Sequence, residues 1–337
     1  MIENFSLKDF NTFHIDVKAR YFQEVATIEE LKKTLLWAQQ NNLPFFILGG
    51  GSNIVFTQNF EGVVIANRIK GIEEKIIDDN HVLMRVNAGE NWHDFVLYCV
   101  EKNYGGIENL SLIPGNVGTG PIQNIGAYGV ELKNVFVSCN VLDLSDDTIK
   151  SLTKEECKFG YRESIFKNEA RGKYIILSVD LLLTRKEHKI STSYGAIQSE
   201  LEKRNITHPT LQQISDVVVD IRRSKLPNPD EVGNCGSFFK NPIISEIQFK
   251  KLKQEHPDIP HYEAVDGVKI PAAWLIEKSG WKGKVVGNVG CHPKQALVLI
   301  NATGKATGEE VFQFSEKIIQ SVQENFGITL EREVNLL

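Results

Sequence analysis

Hydrophobic and polar positions switch irregularly between helical and strand spacing along this chain. Residues 27–41 read as a capped amphipathic helix and residues 44–48 as a short buried strand, an α/β opening. Between residues 62 and 143 the β-rich runs GVVIAN, VLMRVNAG and VFVSCNVLDL dominate, separated by a helix-like stretch at 92–102 and a glycine-rich loop. Residues 174–183 supply another strand. The polar stretch 184–193 precedes a helical pattern at 211–221, and a domain boundary is expected near 186–205. Beyond it come strand-like GSFFK, a lysine-rich helix near 246–253, a helix at PAAWLIEKSG, the strand ALVLI, a long helix at 309–325 and a final strand ITLEREVNLL. The mixture predicts an α+β protein. No internal repeat or low-complexity segment interrupts it.

At 337 residues the chain exceeds the usual size of one hydrophobic core, so two or three domains are expected. A formal net charge of −5 gives no whole-protein attraction for nucleic acid or an anionic membrane, so an anionic ligand needs a local basic cluster. Cys99, Cys139, Cys157, Cys235 and Cys291 are odd in number and widely spaced, which fits reduced thiols and a cytoplasmic setting. Residues 1–10 lack the basic-then-apolar order of an export signal, and no apolar run approaches membrane-spanning length. The eight histidines form no H-E-x-x-H pair, and His256 and His261 flank a proline-broken loop, so no metal is expected.

Chemistry concentrates in three segments. LGGGSN, residues 48–53, follows an apolar strand, and its glycines let backbone N–H groups approach a phosphate; alone it reads equally as a tight turn. A dinucleotide-binding Rossmann turn is excluded, because Ile54 stands where the third glycine belongs and the IVF run continues as strand. The second segment, residues 113–129, holds five glycines and two prolines among the apolar anchors Ile113, Val117, Ile122 and Ile125. It cannot be regular structure. A buried loop of this kind must satisfy its polar backbone, either by itself or with a bound cofactor rich in acceptors, and the two loops together favour the cofactor.

The third segment, residues 222–242, joins Arg222, Arg223 and Lys225 at a helix end to a glycine-flanked Ser237, then Lys240 and Asn241. The arginines read equally as a solvated helix terminus favoured by the dipole. Ser237 lacks the G-x-S-x-G context of a hydrolase nucleophile and no histidine follows in triad order, so proton transfer suits it better than acyl-enzyme chemistry.

LGGGSN, PIQNIGAYG, GYRES, KLPNP, GNCGSFFKNP, QALVLIN and LEREV, in that order across nearly the whole chain, closely resemble the UDP-N-acetylenolpyruvoylglucosamine reductase family. The resemblance implies an FAD-binding fold of the vanillyl-alcohol-oxidase (PCMH) type in two subdomains and a C-terminal α+β substrate domain. Residues 1–68, joined by a C-terminal strand at 328–337, would form the first FAD subdomain, residues 69–190 the second and residues 206–327 the substrate domain. The implied reaction is reduction by NADPH, through non-covalent FAD, of the enolpyruvyl group of a UDP-sugar in bacterial peptidoglycan synthesis. A monomer is expected, with small-molecule substrates as its partners.

Carried over residue by residue, Arg162, Ser237 and Glu333 match the family's catalytic positions. Gly49, Gly50, Gly51, Ser52, Asn53, Gly115, Gly118, Thr119, Pro121, Gln123, Asn124, Ile125 and Gly126 fall to the cofactor. Tyr128, Tyr194, Arg222, Lys225, Asn241 and Gln295 fall to the sugar nucleotide, and Tyr194 in STSYG implies the longer subclass. Glu163, Arg332 and the pair Thr119 and Gly120 depart from residues often seen in the family, which puts loop geometry rather than chemistry in question.

Arg162 is expected to stabilise the charge left by hydride addition, Ser237 to deliver a proton with Lys240 assisting, and Glu333 to orient Arg162 or hydrogen-bond the enol. Two other readings compete: a same-fold oxidase passing electrons to oxygen, and a nucleotide-sugar-binding module without catalysis. Retention of Arg162, Ser237 and Glu333 speaks against the second.

Overall fold

A computed structural model describes residues 1–337, and its contacts separate the chain into two compact units. The first comprises Met1–Phe5, Ala19–Gly50 and Glu61–Ser224; the second comprises Ser6–Lys18, Gly51–Phe60 and Lys225–Leu337. Each unit mixes helices with sheets, so the α+β expectation holds.

The first unit contains two sheets. The strands Ile2–Ser6, Lys18–Val25, Phe60–Asn67 and Phe45–Leu48 lie in that order, and the last two run parallel with Ile47 opposite Ile65. Such parallel neighbours need a crossover. Here it is the connection 49–59, whereas helix Ile28–Gln40 joins Lys18–Val25 to Phe45–Leu48 and is capped by Thr27, which accepts from Glu30 N, while the Glu30 carboxylate accepts from Ala26 N at 2.7 Å. Leu31 and Ala38 on this helix pack with Val63 and Ile65.

The other sheet is wholly antiparallel, ordered Ile149–Thr153, Phe136–Asp143, Tyr174–Thr184, His81–Asn87 and Ile72–Ile76. Helix Trp92–Glu101, capped by Asn91, covers it with Trp92, Phe95, Val96 and Cys99 against Val82, Met84 and Val86. Leu142, Ile175 and Leu177 of this sheet instead join the core around Leu31 and Val63, so the two layers share one interior.

Helix Gly195–Lys203 lies inside the stretch read as a boundary. Its nine residues carry only two large apolar side chains, too few to show a helical period, and these, Ile197 and Leu201, are buried against Ile214, Val217, Val218 and Ile221 of helix Leu211–Lys225. By contacts, the division falls between Ser224 and Lys225.

The second unit carries an antiparallel sheet ordered Asn234–Ser237, Val298–Asn301, Val289–Cys291 and Val285–Val286, and a three-stranded sheet of Ile243–Ile244, Gly267–Lys269 and Tyr262–Ala264. Helix Gly308–Phe326 opens with a Thr307–Glu310 capping box, buries Val311, Phe314, Ile318 and Val322, and stops at Gly327, whose φ of 64° completes the end. The expected final strand is corrected. Only Asn335–Leu336 forms a ladder, parallel to Ile54–Val55, and residues before it contribute a single bridge between Arg332 and Phe239. The alternation that suggested a strand is real as burial, since Ile328, Leu330 and Val334 are all buried, but pairing needs a neighbouring backbone in register.

Candidate functional site

Within the first unit the glycine-rich segments meet backbone to backbone. A Cβ on Gly49 would stand 2.6 Å from Thr119 Cγ2, and one on Gly50 would stand 2.7 Å from Gly115 Cα. Gly118 is as tightly placed, its absent Cβ 2.4 Å from that of Ala88. Only glycine admits such approaches. The loop is pinned by Trp92 N donating to Gly115 O at 3.0 Å, Val117 N to Glu90 O at 2.9 Å and Gly118 N to Ala88 O at 3.1 Å.

Two short turns, Val117–Thr119 and Pro121–Gln123, lead to Asn124, whose φ of 45° is left-handed. The buried Asn124 side chain donates to Gly160 O at 2.9 Å and to the Glu131 carboxylate at 3.1 Å, and accepts from Lys133 N at 3.0 Å. Its backbone is engaged too, Asn124 N donating to Pro121 O at 3.4 Å, so this residue holds the loop in shape. Ile125 joins the apolar core.

A cleft of about 380 Å³ opens between the two sheet layers, lined by Gly49, Gly118 and Thr119 together with Phe46, Asn67 and Tyr174. Its size is that of a small-molecule site, its walls are largely apolar, and two of its edges are bare glycine backbone. That combination suits a flat aromatic ligand carrying phosphates. Phe46, Asn67 and Tyr174 escaped the sequence reading, because in sequence they are ordinary strand residues.

Arg162 also has left-handed backbone, with φ 55°. Its Nη2 donates to Gly126 O at 2.6 Å and Nη1 to Asn124 O at 3.4 Å, so the guanidinium sits on the second glycine loop. The carboxylate of Glu163, one of the departures, accepts from Asn168 Nδ2 at 2.8 Å.

Tyr128, Tyr194 and Arg222 gather in the same unit. The tyrosine rings meet edge to face at 5.3 Å, and Arg222, near enough to Tyr128 to pull on its pKa, donates from Nε to Leu112 O at 3.2 Å. Burial raises the Tyr128 pKa against the opposing pull of Arg222, and burial lowers that of Arg222. Beneath them lies Asn109, fully buried, whose Nδ2 donates to Ser191 O at 3.0 Å and to Tyr128 O at 3.3 Å. Its Oδ1 has no hydrogen-bonding partner in the protein. Asn109 was also missed, since a lone asparagine beside a leucine carries no spacing signal.

The second unit holds the remaining predicted residues. Ser237 ends a sheet-edge strand, exposed, opposite Val298; Val298 N donates to Gln295 O at 3.0 Å, which brings Gln295 to the same sheet end. Glu333 N donates to Phe238 O at 2.9 Å, so its backbone follows directly beside Ser237. The Glu333 charge adds to burial in pushing the Cys235 thiol up. Asn241 Oδ1 accepts from Ala272 N at 2.9 Å, at the start of helix Ala272–Lys278. Lys225, exposed, is the last residue of its helix.

Gly51 has φ 65° and packs on Phe10, where a Cβ would stand 2.1 Å from the carbonyl oxygen. Asn53 donates to Glu333 O at 3.3 Å and accepts from Asn335 N at 3.1 Å, while Ser52 is half-buried. Lys240 is buried and pairs with Glu331 at 2.5 Å. Arg332 ion-pairs Glu316 and donates to Ser315 Oγ at 2.9 Å, tying the C-terminal segment to the long helix.

The glycine-walled cleft belongs to a flavin-binding protein: the FAD binding domain family model matches residues 19–153, which include both glycine loops and the Phe45–Leu48 and Phe60–Asn67 strands that line the cleft. A second model, UDP-N-acetylenolpyruvoylglucosamine reductase, C-terminal domain, matches residues 228–337. Proteins named UDP-N-acetylenolpyruvoylglucosamine reductase are 51% identical in Flavobacterium johnsoniae, over 99% of this chain and 98% of that one, and 45% identical in Pseudomonas aeruginosa with the same coverage. The chain belongs to the UDP-N-acetylenolpyruvoylglucosamine reductase family. The crystal structure of that reductase from Thermus caldophilus shares its fold, with TM-score 0.66 at 22% identity over 100% of this chain and 98% of that one. The expected PCMH-type fold with a C-terminal α+β domain therefore holds.

Proposed function

We propose that this chain reduces the enolpyruvyl group of UDP-N-acetylglucosamine enolpyruvate to the lactyl ether of UDP-N-acetylmuramate, with FAD as cofactor and NADPH as reductant, in peptidoglycan synthesis. Likeness to named reductases along the whole chain, at 51% identity, carries the reading. The cleft of the first unit suits FAD: apolar walls for the ring system and glycine backbone at Gly49 and Gly118 for phosphates. No helix is long and apolar enough to cross a membrane. All five cysteines are free thiols, which suits the proposed cytoplasmic setting; a monomer is proposed with it.

The chemistry FAD supplies when bound is two-electron transfer as hydride, from NADPH to the terminal vinyl carbon. Addition there breaks the carbon–carbon π bond and leaves its electron pair on the carbon next to the carboxylate, an enolate. Arg162 holds that anion. Its guanidinium is permanently charged and forked, and it is anchored on the carbonyls of Gly126 and Asn124. Ser237 Oγ–H donates the proton that closes the second C–H bond, and its place at the exposed end of a strand suits delivery to a ligand. Glu333 hydrogen-bonds the enol form. Tyr128, Tyr194, Arg222, Lys225, Asn241 and Gln295 bind the sugar nucleotide, and the glycine loops, with Ser52, Asn53, Thr119, Pro121, Gln123 and Ile125, bind FAD. By function, residues 1–68 with 328–337 and residues 69–190 serve the flavin, and residues 206–327 the substrate.

The visible spectrum tests this under anaerobic conditions. The purified protein should be yellow, bleach with NADPH and recover its colour on addition of the enolpyruvyl UDP-sugar. A colourless protein would favour a binding module, and recovery only with oxygen would favour an oxidase.

A further inference from the structure

We infer that His93 is a positioning residue for the sugar-nucleotide site: as a neutral imidazole it fixes the backbone of Leu112, whose carbonyl in turn aims the guanidinium of Arg222. The inference rests on the reading of Arg222 as a substrate contact and supplies that contact with a pH-sensitive support.

His93 is the second residue of helix Trp92–Glu101, and its Nδ1 accepts from Leu112 N at 2.9 Å. A ring nitrogen that accepts must keep its lone pair, so this imidazole is neutral with its proton on Nε2. Leu112 needs the support. Its φ of 58° is left-handed, a conformation that a leucine adopts only when its surroundings impose it. In that conformation the N–H meets His93 and the carbonyl meets Arg222 Nε at 3.2 Å. The preceding residue is tied to the helix that carries Arg222, through Ser111 Oγ and Ser215 Oγ, both buried and 2.8 Å apart. Arg222 continues to Tyr128, and Tyr128 to Tyr194. One line of contacts thus runs from His93 to three residues assigned to the sugar nucleotide.

The charges around the ring decide which way it titrates. Burial lowers the His93 pKa; Asp94 on its own helix opposes this, and Arg222 and Arg223 on helix Leu211–Lys225 reinforce it. An imidazolium has two donors and no acceptor. Once protonated, His93 would oppose the Leu112 N–H and repel the arginine that it helps to place. Acidification should therefore release Leu112 and loosen Arg222, while the UDP-sugar carries no group that titrates in the same window.

The test is the Kd of UDP-N-acetylmuramate for the flavin-loaded protein, measured by calorimetry between about pH 4.5 and about pH 8, a range that reaches well below the ordinary histidine pKa because burial lowers that of His93. Variants are His93→Asn, His93→Leu and Arg222→Gln, each compared at full flavin content and wild-type melting temperature. Asparagine places an amide oxygen near Nδ1 and cannot titrate. Wild-type Kd should rise about tenfold on acidification; His93→Asn should bind within about twofold of wild type at pH 8 and lose that dependence; His93→Leu should bind about tenfold more weakly throughout. Wild-type affinity in His93→Leu, or a full acid limb in His93→Asn, overturns the inference. If Arg222→Gln binds as tightly as wild type, the assignment of Arg222 itself fails. If Arg222→Gln weakens binding and His93→Leu does not, only the role of His93 fails.

Discussion

Arg162 donates from Nη2 to the carbonyl of Gly126 at 2.6 Å, fastening the guanidinium to the glycine loop that the FAD-domain match includes. A side chain on Gly126 would stand 3.0 Å from Arg162 Nη1, so the glycine and the arginine define one another's position. Under the proposed function, charge placed this way would need no reorganisation to stabilise an enolate.

Replacement of Arg162 by lysine keeps the charge and loses the planar fork. Reoxidation of the reduced flavin by the enolpyruvyl sugar should slow about a hundredfold or more, with reduction by NADPH nearly unchanged. Stopped-flow measurement of the two half-reactions checks this, and equal slowing of both would remove Arg162 from charge stabilisation.

Ser237→Ala should likewise spare the NADPH half-reaction and slow the sugar half-reaction about a thousandfold, as expected for loss of a placed proton donor. A variant that turns over at the wild-type rate would assign the proton to another group.

In the proposed reading Lys225 meets the substrate's phosphates, and Lys225→Ala removes that charge. Its KM for the sugar should rise about tenfold, while flavin reduction changes little, because uniform binding energy is lost. An unchanged KM would exclude Lys225 from the site.

Gly118→Val tests the cleft. Its Cβ would fall 2.4 Å from Ala88 Cβ and 2.9 Å from Ala88 Cα, so the loop must move away from the strand end behind it. The variant should purify with little FAD, read as loss of visible absorbance relative to that at 280 nm. Full flavin content would mean that the cofactor lies elsewhere.

Asp143 accepts from Lys150 Nζ at 2.6 Å, from Ser145 Oγ at 2.6 Å and from Ser145 N at 2.8 Å, and these bonds, the lysine's foremost, hold its pKa down at about 2. A carboxyl depressed on folding contributes stability that is complete above its unfolded pKa, about 3.9, and lost as pH falls towards the folded value. Asp143→Asn should therefore flatten the acid limb of the melting temperature between about pH 4 and about pH 2. Parallel limbs in the two proteins would show that the Lys150 contact does not survive in solution.

The helices at Ile28–Gln40, Trp92–Glu101 and Gly308–Phe326 and the strands at Phe45–Leu48 and Tyr174–Thr184 were legible in the sequence, because spacing and caps act over a few residues. So were the two glycine loops, whose composition excludes regular structure. Helix Gly195–Lys203 was not, since it depends on burying Ile197 and Leu201 against another helix.

By itself, then, the sequence determined the local elements, the residue types available for chemistry and the family they resemble. Only the tertiary structure decided that Arg162 rests on Gly126, that Asn109 joins the backbones of Tyr128 and Ser191, and that His93 reaches Leu112. Those contacts hang on left-handed turns at Leu112, Tyr128 and Arg162, which no hydrophobic period encodes. Residues without glycine hold such turns only where distant neighbours enforce them, and distant neighbours exist only after the chain has folded.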